Sequence, residues 1–122
     1  MATDLTLTLA EDRPGALSAV TEALGGAGTN IEGLTEVEGH VHVLVEDAAA
    51  ARQALQAAGL AVHREEEVLL ATPPDRPGEL GKITGSLAGA GVSVRFLYLA
   101  TNTRVVIGVD DLERGREALS RG

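Results

Sequence analysis

The chain has 122 residues, no cysteine, and 18 acidic against 10 basic residues, a net charge of −8. That field repels phosphate backbones and anionic membrane surfaces, and the arginines are scattered, so neither nucleic acid nor membrane is expected as a partner. Disulfide and thiolate chemistry are excluded, and with no cationic-then-apolar leader and no apolar run of membrane-spanning length a cytoplasmic protein is expected.

Leu5, Leu7 and Leu9 alternate with Thr6 and Thr8, the period of a half-buried strand. Asp12-Arg13-Pro14-Gly15 breaks it, with Pro14 suited to the first helical position, where its missing N–H costs nothing. Leu17, Val20, Leu24 and Ala27 follow at helical spacing, and Gly25, Gly26 and Gly28 end the helix. Residues 31–37 and 41–45 read as strands joined by a tight Glu38-Gly39 turn. Residues 48–58, rich in alanine, read as a second helix closed by Gly59, and 60–63 as a short further strand.

The same order then begins again. Residues 68–71 form a strand, and Leu80, Ile83, Leu87 and Ala90 mark a helix. Residues 92–100 and 104–109 form a hairpin around Thr101-Asn102-Thr103, and 112–119 a last helix. Glu65-Glu66-Glu67 joins the copies and is short enough to let one strand run into the next. No strand is expected after the last helix.

The repeat is legible residue by residue. Asp12-Arg13-Pro14-Gly15 returns as Asp75-Arg76-Pro77-Gly78, an offset of 63. At the same offset Leu17 falls on Leu80, Thr21 on Thr84, Leu24 on Leu87, and Gly26-Ala27-Gly28 on Gly89-Ala90-Gly91. This is an internal duplication. Its unit is β-α-β-β-α-β, which closes into an antiparallel sheet with both helices on one face. The fold class is therefore α+β: two tandem ferredoxin-like units, 1–65 and 66–122, the second lacking its last strand. The helix-free face of each sheet is expected to be open, and Phe96 and Tyr98, the only aromatics, are expected in the core.

With the strand, the Asp-Arg-Pro-Gly loop and the strand entries Gly28-Thr29-Asn30-Ile31 and Gly91-Val92-Ser93-Val94, the chain resembles a tandem ACT-domain protein over essentially its whole length. The resemblance implies regulation of amino-acid metabolism by binding a free amino acid at the junction of two units. Carried over by position, it pairs Asp12 with Ser93 and Asp75 with Asn30, and assigns the ligand to Asp12, Arg13, Pro14, Gly15, Ala16 and Asn30 and to Asp75, Arg76, Pro77, Gly78, Glu79 and Ser93. It also implies a homodimer and a regulated enzyme or other protein as partner. The chemistry stands apart from the resemblance. A helix N-terminus offers unpaired N–H groups to a carboxylate, and a neighbouring aspartate offers an acceptor for an ammonium group. The same loop is also a sound strand-to-helix connection whose aspartate caps the helix, and such a unit would be a ligand-free dimerisation module.

His40 and His42 lie two apart on a strand and so share a face, a possible pair of metal ligands. No cysteine completes a set, and polar residues on the helix-free face are the favoured reading, so no metal and no cofactor are expected. No Cys/His pair, no Ser/His/Asp arrangement and no phosphate-binding glycine motif is present, and an enzyme is not expected.

Overall fold

Thr3–Thr8 forms the first strand, β1, of the computed structural model, which describes residues 2–121. There follow α1 (Ala16–Gly26), β2 (Ile31–Val37), β3 (His40–Val45), α2 (Ala48–Ala57), β4 (Val62–Glu67), β5 (Leu69–Ala71), α3 (Glu79–Gly89), β6 (Val94–Ala100), β7 (Arg104–Val109) and α4 (Leu112–Arg121). The chain divides into two units, Met1–Glu66 and Glu67–Gly122.

In the first unit the strand order is β4-β1-β3-β2. β1 and β2 both run antiparallel to β3, with Leu5 opposite Val43, Leu7 opposite Val41 and Leu34 opposite Val43. The alternation read from Leu5 and Leu7 is real burial, since both are essentially inaccessible. They pack with Val41, Val43 and Val45 against Val20 and Leu24 of α1 and Ala51 and Leu55 of α2. Glu38 and Gly39, at φ 49° and 85°, make the tight turn that the strand twist favours.

The second unit repeats this with three strands, in the order β6-β7-β5. Leu69 lies opposite Ile107, and Leu97 opposite Ile107 from the other side. Leu87 of α3 and Ala118 of α4 cover Val105, Ile107 and Val109. The fold is thus two ferredoxin-like units in tandem, the second without a last strand. Each fully buried leucine of these cores is worth about 1.5–3 kcal/mol of transfer free energy.

As expected, the acidic run 65–67 lets one strand run into the next: it ends β4, and Val68 alone separates it from β5, although β4 covers Val62–Glu67 and not residues 60–63. Two other expectations change. Phe96 and Tyr98 are not in the helix-backed core. Leu97 takes the helix side, so its neighbours face away, stacked with centroids 6.1 Å apart. Gly108 lies beneath Phe96, and an added Cβ there would stand 2.2 Å from its ring. Nor is the helix-free face of either unit fully open, because Asp4 and Leu44 are buried in the first and Tyr98 and Val106 in the second.

Candidate functional site: the two repeated loops

In each unit the repeated loop leaves a strand and enters a helix whose N-terminus has no side-chain cap. Gly15 and Gly78 are the N-cap residues, at φ 90° and 88°, a left-handed conformation that favours glycine. This corrects two sequence expectations. The helix begins at Ala16, so Pro14 stands ahead of it, and Asp12 and Asp75 lie three residues before the N-cap, out of register for a capping bond. The second helix of each unit is capped as expected of an aspartate. Asp47 accepts from the Ala50 N–H at 3.1 Å, and Asp111 from the Arg114 N–H at 3.0 Å.

The remaining aspartates sharpen the contrast. Asp110 accepts from the Ser93 N–H at 2.9 Å. Asp4, fully buried, accepts from the Thr6 hydroxyl at 2.7 Å and from His42 Nδ1 at 3.1 Å. Asp12 and Asp75 alone are exposed with no hydrogen bond or ion pair among the described residues. Among the described residues, the two uncommitted aspartates are therefore the two that the repeat duplicates, each just ahead of an uncapped helix end.

The arginines beside them differ. Arg13 bonds Glu11 at 2.6 Å, and both side chains are more than half exposed. Arg76 turns the other way and bonds Glu79 at 2.6 Å, in the first turn of α3, where Lys82 joins at 3.2 Å. Glu79 is nearly buried. The Arg76 bond, with Lys82 adding to it, holds its carboxyl below the ordinary glutamate value against the opposing effect of burial. At the equivalent position the first unit has Ala16.

Each loop faces the turn of its own unit's hairpin across a cleft. In the first unit a cleft of about 520 Å³ is lined by Glu11, Asp12, Arg13, Glu36 and Glu38, together with Leu9, Ala16 and Leu17. In the second a cleft of about 400 Å³ is lined by Asp75, Arg76, Glu79 and Arg104, with Pro73, Leu80, Leu99 and Val105 as apolar wall. Sequence reading missed the hairpin residues Glu36, Glu38, Leu99, Thr103 and Arg104. The signal was in the topology. Because β1 pairs antiparallel with β3, the end of β1 must return beside the turn that starts β3, and the Leu9 N–H indeed donates to the Gly39 carbonyl at 2.7 Å.

Asn30 and Ser93 are exposed and stand at the other end of their helices from Asp12 and Asp75. An 11-residue helix is about 16 Å long, so no single unit brings loop aspartate and strand-entry residue together.

The histidines gather on the helix-free side of the first unit. His42 Nδ1 lies 3.1 Å from Thr6 Oγ1, and Thr8 Oγ1 meets His63 Nε2 at 2.6 Å and His40 Nδ1 at 3.4 Å. Thr6, His42 and Asp4 are not a nucleophile relay, since hydroxyl and carboxylate approach the same ring nitrogen. Among the described residues no group of three or more His, Asp or Glu side chains is arranged to hold a metal ion. No described helix is long and apolar enough to cross a membrane.

No family model and no curated protein matches this sequence. Solved structures do match it in shape. A protein of Bacteroides thetaiotaomicron is 26% identical, with a TM-score of 0.74 over 98% of this chain and 85% of that one. The regulatory subunit of aspartate kinase from Thermus thermophilus, in its ligand-free form, is 18% identical, with a TM-score of 0.73 over 98% and 88%. The corresponding subunit from Thermus flavus is 15% identical, with a TM-score of 0.70 over 98% and 91%. The likeness is one of fold.

Proposed function

We propose that this is a cytoplasmic regulatory protein without catalytic activity of its own, which binds a free amino acid through its repeated loops and signals to a partner protein. The observation that carries the reading is the pair Asp12 and Asp75, uncommitted acids beside uncapped helix ends while Asp47 and Asp111 cap theirs. Such a loop suits both ends of a zwitterion, the ammonium on the aspartate and the carboxylate near the helix N–H groups. The shape likeness to regulatory subunits of aspartate kinase agrees with a regulatory role. The reading keeps the contributions of Asn30 and Ser93 that the resemblance implies, and a homodimer as the working assembly. Ligand then shifts an equilibrium between two arrangements by its differential affinity for them, and the partner responds to that shift.

Calorimetry with a panel of free amino acids tests this. Wild type is expected to bind one of them, and Asp12→Ala combined with Asp75→Ala to abolish binding while the protein stays folded. Unchanged affinity in the double variant would remove the loops from the account.

A second reading has one specific observation behind it. β5 is three residues long, pairs among the described residues with β7 alone, and exposes Leu70, so its free edge suits pairing with another chain. In that case the protein is a ligand-free dimerisation module. Sedimentation at micromolar concentration should then give a dimer, and a strict monomer would contradict it.

A further inference from the structure

The two clefts beside the repeated loops differ in charge and in apolar surface, and so differ in the kind of amino acid each suits. In the first unit four carboxylates face Arg13, and each is an obstacle to a ligand carboxylate. In the second, Asp75 and Glu79 are matched by Arg76 and Arg104, so the cleft is balanced as a zwitterion is. Arg76 is committed to Glu79, and Arg104 is steadied by Thr101, whose carbonyl accepts from Nε at 2.9 Å and whose hydroxyl accepts from Nη2 at 2.8 Å. Asp75 remains uncommitted. Leu80 and Leu99 are two of the five exposed large apolar side chains of the described chain, 40% and 67% exposed, and both line this cleft. Glu36 stands at the position in the first unit that Leu99 holds in the second. The volume of about 400 Å³ lies within the roughly 300–1,000 Å³ usual for small-molecule sites.

Resting on the amino-acid reading above, we infer that the cleft between the Pro73–Leu80 loop and the β6–β7 hairpin is the amino-acid site, and that it selects an α-amino acid with an apolar side chain. Asp75 receives the ammonium group, the Arg104 side of the cleft receives the carboxylate, and the wall of Leu80 and Leu99 covers the side chain. The first unit's cleft does not take the same ligand. An apolar side chain gains where it covers exposed leucine, whereas a second carboxylate or ammonium in the ligand would leave a charge against that wall without a partner.

The test is amide NMR titration of the full chain with L-leucine, L-methionine, L-aspartate and L-lysine, with affinities from the shifts. The expected result is that the two apolar amino acids move resonances of residues 75–80 and 99–105, at least tenfold tighter than the two charged ones. Leu99→Asp, at an exposed position that leaves the fold intact, should lower the leucine affinity at least tenfold, and Glu38→Gln, in the first unit's cleft, should leave it unchanged. Binding that maps elsewhere, equal affinity for the charged pair, or an unaltered Leu99→Asp overturns this inference and leaves the amino-acid reading standing. No shift with any free amino acid overturns both.

Discussion

The two repeated loops carry the same four residues into the same kind of helix end, yet their surroundings have diverged. In the first unit Arg13 leans outward to Glu11, the helix opens with Ala16, and the facing hairpin contributes Glu36 and Glu38. In the second Arg76 folds inward to Glu79, and the facing hairpin contributes Leu99 and Arg104. What stays constant is the backbone and the uncommitted aspartate; what changes is the charge around it. Duplication here has preserved an exposed aspartate ahead of an uncapped helix end and changed the charged and apolar side chains beside it.

The largest expected effects test whether the two scaffolds are equivalent. Leu24 and Leu87 are matched by the repeat and both fully buried, so Leu24→Ala and Leu87→Ala should each cost about 2–5 kcal/mol in denaturant unfolding. A cost confined to one of them would break the equivalence of the two cores. Smaller, and more telling for function, is the contrast between aspartates. Asp47→Ala and Asp111→Ala remove real caps and should each cost about 1 kcal/mol. Asp12→Ala and Asp75→Ala should fall within about 0.5 kcal/mol of wild type, because nothing in the fold depends on either carboxylate. Equal losses at all four positions would return the loops to a purely structural role.

The smallest effect separates the loops by pH. The folded chain holds the Glu79 carboxyl below its ordinary value, so this group stabilises the fold above the ordinary glutamate range. That contribution is lost as pH falls through the lower, folded value. Glu79→Gln should therefore flatten the acid limb of the stability profile slightly, while Ala16→Gln should leave its shape unchanged. A profile unaltered by Glu79→Gln would mean that Arg76 and Lys82 do not distinguish the second loop.

Most of the scaffold was legible because its signals are periodic and doubled. Leu5 and Leu7 gave the strand face, Leu24 and Leu87 the helix face, and the Glu38-Gly39 turn its own conformation. What escaped was set by contacts beyond local pattern. The last strand of the first unit reads as residues 60–63, but strand pairing beside β1 carries it through Glu65 and Glu66 to Glu67. The aromatic pair Phe96 and Tyr98 reads as core, but Leu97 takes the helix side, and on the other side Gly108 makes room for the Phe96 ring. At the candidate site, the tetrapeptide announced itself by repetition. The role of Asp12 did not, because the helix start depends on the left-handed Gly15, and the cleft walls come from a hairpin distant in sequence.

The most direct test of the central claim, that the repeated loops form an amino-acid site, is thermal unfolding against free amino acids at millimolar concentration. A ligand at about 100 times its dissociation constant stabilises by about 2.7 kcal/mol, which moves the midpoint of a chain this size by several degrees. The account predicts such a shift with apolar amino acids, and its disappearance in the Asp12→Ala, Asp75→Ala double variant. A midpoint that stays fixed across the whole panel, or a shift that survives the double variant, would contradict it.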